Sequence, residues 1–211
     1  NGIWGVSIDD RTIKKGDLFI ALKGDKFDGH NFTESAITKG AYGIIVSDKK
    51  LANKYKALLV EDTKKALEQI AKFSRHRFKG VTIAITGSSG KTSTKHLLSN
   101  TLKKFGKTHH TYKNNNNLIG LSLTLSRLHE DYNYCILELG MNNAGEIQRL
   151  TEIALPDIAL ITNISSSHIQ NFKNDKEIAD EKSEIFSTLN ENGIAIINTD
   201  TLWSKYLIKK A

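Results

Sequence analysis

The 211-residue sequence predicts an α/β protein: a small N-terminal α/β domain, then a larger, mainly parallel sheet with helices on both faces. Three observations carry this. From Val81 onward, short apolar runs alternate strictly with amphipathic segments, as strands buried on both faces and joined by crossover helices do. Before that point the elements are shorter and the loops richer in glycine and charge. Between the two lies Phe78-Lys79-Gly80, which divides the chain into residues 1–79 and 80–211.

In the first part, Asp17 to Leu22 reads as a strand, followed by a glycine-rich loop to His30 and a helix from Phe32 to Lys39. Strands Gly43 to Ser47 and Ala57 to Val60 follow. A helix from Thr63 to Phe78 closes this part, with Leu67, Ile70, Ala71 and Ser74 on one stripe. The second part reads as strand Val81–Thr86, helices Lys91–Phe105 and Ile119–Leu128, strand Tyr134–Leu139 and helix Glu146–Ala154. Strand Asp157–Thr162, helix Lys176–Leu189 and strand Ile194–Asn198 complete it. On the first of these helices, Thr94, Leu97, Leu98, Leu102 and Phe105 fall on one face. With Pro156 the only proline, Gly, Asn and Asp supply the turns. There is no internal repeat.

The bulk properties exclude several classes. No apolar run approaches the roughly 18 residues that span a bilayer, and the start, Asn1 to Arg11, lacks the basic flank and apolar core of a signal peptide. It also lacks an initiating Met, so the N-terminus reads as trimmed. A single cysteine, Cys135, rules out an internal disulfide and a multi-cysteine zinc site; set in the apolar run Tyr134 to Leu137, it reads as a buried, inert thiol in a cytoplasmic protein. The net charge of +7 comes from scattered lysines with no arginine-rich block or interleaved aromatics, so neither nucleic acid nor a membrane is expected as a partner, and the chain is expected to be a monomer.

The chemistry concentrates where the strand Val81–Thr86 gives way to Thr86-Gly87-Ser88-Ser89-Gly90-Lys91-Thr92-Ser93 and a helix. Unpaired N–H groups and the positive dipole end at a helix start attract a phosphate, and small residues before it let the backbone wrap the anion. Lys91 can reach the outer phosphates and the Thr92 hydroxyl can ligate Mg²⁺. A glycine turn with a chance Lys-Thr would read alike, but the strand before it and the helix after it argue for a phosphate loop. The usual pattern has glycine where Ile85 stands, so this is the shorter form T-G-x-x-G-K-T.

That loop resembles the ATP loop of the Mur ligases, ATP-dependent amide-forming enzymes of peptidoglycan assembly; folylpolyglutamate synthase has a similar one. The stretch from Ser7 to Val46 looks like the UDP-sugar-binding N-terminal domain of this family. Asn114 to Leu125 looks like the N-x-N-N-x-I-G block of the members that add D-alanyl-D-alanine, and Leu137 to Ile147, Pro156 to Phe172 and Ile178 to Phe186 look like their central-domain blocks in the same order. The resemblance implies an ATP-binding central domain, UDP-N-acetylmuramoyl-tripeptide and D-alanyl-D-alanine as substrates, and an acyl phosphate formed at the expense of ATP. It covers two of the family's three domains, the second in part, so these residues alone are not expected to catalyse ligation. Another phosphate-loop ATPase or kinase, or a non-catalytic nucleotide-binding module, remains the alternative; binding of a UDP-sugar would separate them.

Glu138 stands at the carboxyl end of its strand, where ligands of parallel sheets bind and where a carboxylate can hold Mg²⁺. His168 follows the next strand. The resemblance implies a magnesium ligand at each. Lys182 shares a helical stripe with Ile178, Ile185 and Leu189, whereas Glu177, Asp180, Glu181 and Glu184 lie largely off it. A lysine on an inward face is expensive unless it snorkels, pairs or is modified. The resemblance implies modification: in several Mur ligases the matching lysine carries a CO₂-derived carbamate that binds magnesium. Lys91, Glu138, His168 and Lys182 are thus the expected catalytic group, and Thr92, Glu138, His168 and carbamylated Lys182 the expected metal ligands.

For the substrate, the resemblance implies a uridine-diphosphate pocket lined by Asp9, Asp10, Arg11, Asp28, Gly29, His30 and Phe32. Asn114, Asn116 and Asn117 match family positions and Asn115 a variable one. The family usually has serine where Asp10 stands, and a carboxylate there would repel a phosphate. It usually has glycine at Lys113 and proline at Ser122.

Overall fold

Two parallel sheets, laid down one after the other along the chain, organise the molecule in the computed structural model, which describes residues 3, 5–25, 27–165, 172 and 174–211. The first has strands β1 (Gly5–Ser7), β2 (Asp17–Ile20), β3 (Gly43–Val46) and β4 (Leu58–Leu59) in sequential order. The second has β5 (Val81–Thr86), β6 (Thr108–His110), β7 (Tyr134–Glu138), β8 (Ile158–Ile161) and β9 (Ile194–Ile197) in the order β6-β7-β5-β8-β9. Every strand pairing in both sheets is parallel. Every loop that follows a strand therefore leaves its sheet at the same, carboxyl edge, and β5 sits centrally with the phosphate loop at its end.

Alternation along the strands decides which helices cover which face. In the first sheet, Phe19, Ala21, Ile44 and Val46 face α1 (Thr33–Thr38) and α2 (Lys49–Tyr55), while Val6, Ile20 and Ile45 face α3 (Thr63–Arg77) and α5 (Leu118–Ser126). In the second, Ile83, Ile85 and Ile136 face α4 (Lys91–Leu102). Ala84, Cys135, Leu137, Ala159 and Ile161 face α5, α6 (Glu146–Ala154), α7 (Asp175–Ser183) and α8 (Ser204–Lys210). Helices α3 and α5 serve both cores: Leu67 and Leu123 pack into the first, Ala71 and Leu121 into the second.

Strand β5 and helix α6 lie where the sequence places them, and most others within a few residues. The expected helix from Lys176 to Leu189 is shorter, α7 running on into a 3₁₀ turn at Glu184–Phe186. Strands β1 and β6 and helices α2 and α8 are additional. Helix α4 presents the expected face only in part: Leu98 and Leu102 pack against Ile83, Ile85 and Ile136. Leu97 and Phe105 are 70% and 72% exposed, while Lys95 and Ser99 are buried. The helix has turned a polar stripe inward because Glu138 and His110 wait beneath it: Ser99 Oγ lies 3.3 Å from His110 Nδ1. His109 and His110 do point to opposite faces, His109 Nε2 lying 2.8 Å from the Thr124 carbonyl of α5. Cys135 is fully buried, and burial pushes its thiol up to about 12, so it is unreactive.

Candidate nucleotide and metal site

The loop after β5 starts from a buried anchor, Thr86, whose hydroxyl donates to the Leu139 carbonyl at 2.9 Å. Gly87 has φ +148° and packs so closely that a Cβ there would strike the Thr162 hydroxyl; Gly90, φ +81°, turns the chain into α4. Ser88 and Ser89 are strapped to the neighbouring strand end. The Ser88 N–H donates to the Asn163 carbonyl (3.0 Å) and the Ser89 N–H to Asn163 Oδ1 (2.8 Å), with Asn163 Nδ2 returning a bond to Ser89 Oγ (2.7 Å). The loop's shape thus depends on Thr162 and Asn163, which the sequence reading did not single out. Gly90 caps α4 without any side-chain bond, which leaves the N–H groups of the first turn, including those of Thr92 and Ser93, facing the loop.

Lys91 folds back so that its ammonium donates to the Gly87 carbonyl at 2.6 Å. Burial pulls its pKa down, and Glu138 opposes that. Thr92 reaches across to β7, its Oγ1 3.0 Å and 3.2 Å from the two oxygens of Glu138. Only 2% exposed, Glu138 also accepts from Asn116 Nδ2 at 3.0 Å and pairs with Lys95 Nζ at 2.9 Å. Burial alone would raise this carboxyl's pKa; the bonds from Lys95, Asn116 and Thr92 outweigh burial and hold it below the ordinary glutamate range, so it is an anion. Lys95 is the group the sequence reading missed: its position on α4 is legible, but only the partner Glu138, far along the chain, explains its burial.

Lys182 is 2% exposed, on the stripe with Ile178 and Ile185 expected for it. Burial, with the Lys91 charge adding to it, lowers its pKa to about 7, so near neutrality much of it is a free amine. Glu181, expected off this face, is buried as well; its carboxylate accepts from the Gly145 and Ile147 N–H groups at 2.8 Å each and caps α6. His168 lies outside the described residues. Among the described residues no three His, Cys, Asp or Glu side chains gather round one point. The donors that do converge, the Thr92 hydroxyl and the Glu138 carboxylate, suit a hard divalent cation.

The residues expected to line the uridine-diphosphate pocket lie at the carboxyl edge of the first sheet. Asp9 caps the 3₁₀ turn Asp10–Thr12, accepting from the Arg11 N–H (2.9 Å) and pairing with its guanidinium (2.7 Å), which stays exposed. Asp10 turns inward to Ser35 and Lys39, 2.7 Å each; bonds from Lys39 and Ser35 hold its carboxyl below the usual range, and Lys39 balances its charge. Asp28 caps the next 3₁₀ turn and fixes His30, whose Nδ1 lies 2.6 Å away while Nε2 accepts from the Ser47 N–H at 2.9 Å. Both ring nitrogens are therefore used in holding loops together. Gly29 is required by space, since a Cβ would sit 2.7 Å from the Leu22 carbonyl oxygen, and Phe32 stacks on Phe27 at 5.2 Å. In the second half, Asn114 precedes Asn116 in the loop after β6, and Asn117 caps α5 through the Gly120 N–H at 2.9 Å. Between the halves runs a cleft of about 520 Å³, lined among others by Asp62, Lys64, Asn117, Gly140 and Arg149.

Fold and loop define a phosphate-loop α/β protein. Two family descriptions match the chain: "Mur ligase middle domain" over residues 85–211 and "Mur ligase family, catalytic domain" over residues 2–75. The chain belongs to the Mur ligase family. It is 44% identical over 194 residues to the UDP-N-acetylmuramoyl-tripeptide–D-alanyl-D-alanine ligase of Rickettsia prowazekii, covering 92% of this chain and 43% of that one. Crystallised MurF from Acinetobacter baumannii superposes with a TM-score of 0.87 at 34% identity, covering 99% of this chain and 46% of that one. MurF from Thermotoga maritima, solved with ADP, gives 0.83 at 34%, covering 98% and 48%. The chain thus spans less than half the length of these relatives.

Proposed function

We propose that the protein serves in ATP-dependent, ADP-forming addition of D-alanyl-D-alanine to UDP-N-acetylmuramoyl-tripeptide, a cytoplasmic step of peptidoglycan precursor synthesis. The observation that carries this is the Thr92 hydroxyl on the Glu138 carboxylate, beside Lys91, at the carboxyl edge of a parallel sheet. Here a substrate carboxylate takes the γ-phosphoryl group of ATP, and the amine of D-alanyl-D-alanine displaces phosphate from the resulting acyl phosphate. Lys91 exchanges the Gly87 carbonyl for phosphate oxygens and offsets their charge, while the first turn of α4 supplies N–H donors. Bound Mg²⁺ would screen the repulsion between carboxylate and phosphate. Thr92, Glu138 and a carbamate on Lys182 would hold it, with His168 as a further ligand.

The lysine's near-neutral amine supports the carbamate: an uncharged nitrogen adds to CO₂ and releases a proton. The cleft supports the long substrate, since it joins the edges of the two sheets, and the buried Ser122 hydroxyl in its wall lacks a hydrogen-bond partner among the described residues. Asp9, Arg11, Asp28, Gly29 and Phe32 would meet the uridine diphosphate, with Asp10 and His30 holding their loops. Asn114, Asn116 and Asn117 would meet the peptide end.

Calorimetric titration with ADP and Mg²⁺ tests the reading. Lys91→Ala should weaken binding by roughly 30-fold or more; unchanged affinity would refute the loop's role. Labelled bicarbonate should give a carbamate carbon resonance that Lys182→Arg removes. Its absence from the wild type would leave the nucleotide site standing but discard the carbamate.

A further inference from the structure

Helix α4 buries a lysine beside the leucines, Leu98 and Leu102, that it packs on the sheet. Lys95 is wholly inaccessible while Leu97, two positions on, is 70% exposed. A buried ion pair contributes little net stability over well-packed apolar side chains, so its presence here calls for another reason. The partners supply it. Lys95 Nζ reaches Glu138 Oε2 at 2.9 Å and the Lys113 carbonyl at 2.6 Å. Lys113 has φ +50°, a left-handed conformation unusual for lysine, and its carbonyl heads the loop whose Asn116 bonds the other oxygen of Glu138. One ammonium therefore ties together the phosphate-loop helix, the carboxylate and the asparagine loop.

The charges around the site have a consequence for the cation. Glu138 contributes one negative charge, which Lys95 cancels at contact distance; Lys91 adds a positive charge beside them. A divalent cation arriving alone would have to shed water for a site with no net negative charge. One arriving with a polyphosphate meets Lys91 and the start of α4 through the phosphates, and needs Glu138 only to complete its shell. We propose that Lys95 is a positioning residue that keeps Glu138 charge-balanced until a nucleotide arrives, so that the site takes a divalent cation as its nucleotide complex and not alone. This rests on the reading of Glu138 as a metal ligand.

Mn²⁺, followed by its paramagnetic resonance spectrum, is a suitable probe. The wild type should bind free Mn²⁺ weakly and bind it about ten-fold or more tightly in the presence of ADP; equal affinity in the two conditions overturns the proposal. Lys95→Met should raise the affinity for free Mn²⁺ by about ten-fold, because the carboxylate loses its counter-charge, and so narrow the preference for the ADP complex. A Lys95→Met protein that melts as the wild type does but binds free Mn²⁺ no better also overturns it. Should that variant not fold, Lys95→Gln, which keeps a donor for the Lys113 carbonyl, takes its place with the same expectation. Glu138→Gln separates the two levels. Undiminished Mn²⁺·ADP binding by Glu138→Gln removes the metal reading and this proposal together. Diminished binding there, with an unaltered Lys95→Met profile, removes only the role of Lys95.

Discussion

His109, half-buried, and Lys182, buried, are bases whose environments disfavour the charged form, and each makes stability depend on pH in its own window. Burial lowers His109 from 6.5 to about 4, and its Nε2–H donates to the Thr124 carbonyl. Between these values the unfolded chain binds a proton that the folded chain refuses, so stability falls as pH drops from about 6.5 to about 4. His109→Gln should flatten that decline; urea midpoints at pH 7 and pH 5, compared between variant and wild type, measure it. Lys182 acts at higher pH. With its pKa lowered from 10.5 to about 7, the unfolded chain is the better proton acceptor in that range, and stability rises with pH across it. In protein freed of CO₂, so that the amine is unmodified, Lys182→Met should remove the rise, which thermal melts between pH 7 and 10 would detect. The periodicity around Lys182 made its burial legible, since Ile178 and Ile185 share its stripe. The depth of His109 was not, because Thr108–His110 carries no apolar residue and only pairing with β7 makes it a strand.

Helix α6 is held at each end by a charge that matches its dipole. The Glu181 carboxylate sits on the N–H groups of Gly145 and Ile147, and the Arg75 guanidinium donates to the carbonyls of Ala154 (2.7 Å) and Leu155 (2.5 Å) at the other end. Glu181→Gln should cost about 1 kcal/mol and Arg75→Met about 2 kcal/mol in denaturant-derived stability. The ends of this nine-residue helix lie about 13 Å apart, so the double variant should show additive losses. The body of α6 was readable from Ile147, Leu150, Ile153 and Ala154 at helical spacing. Neither cap was, since Glu181 and Arg75 come from α7 and α3 and local patterning says nothing of such partners. The same limit shifted α4: Leu98 and Leu102 face the sheet as their stripe requires, but Leu97 and Phe105 do not, because the ion pair of Lys95 with Glu138 sets the helix's rotation. Helix α2 went unread because Lys49–Tyr55 has only Leu51 and Ala52 to signal a buried face.

The two sheets share their walls, and that governs how the whole molecule unfolds. Leu123 of α5 belongs to the apolar cluster of the first sheet, with Val6, Ile20, Ile45 and Leu67, while Ala71 of α3 and Phe78 just after it belong to the cluster of the second. Arg127 Nε donates to the Val6 carbonyl at 2.6 Å and Arg75 ties α3 to the end of α6, so polar contacts reinforce the exchange. Releasing the first half alone would bare one side of α5, a helix buried from Gly120 to Leu125. The halves should therefore unfold together, in one calorimetric transition. Leu67→Ala, in the cluster that both halves build, should destabilise by about 2–5 kcal/mol. Its effect should reach amides of β2 and β5 alike in hydrogen exchange, although Leu67 is in neither strand. A variant in which only β2 exchanges faster, or a wild-type melt with two resolved peaks, would mean that the halves are separable. The same coupling sets the distance across the cleft between the Asp62 edge and the Asn117–Gly140 edge. Leu67 also lines this cleft, so Leu67→Ala should weaken binding of UDP-N-acetylmuramoyl-tripeptide, proposed to lie along it, more than binding of ADP, proposed to lie at the end of β5.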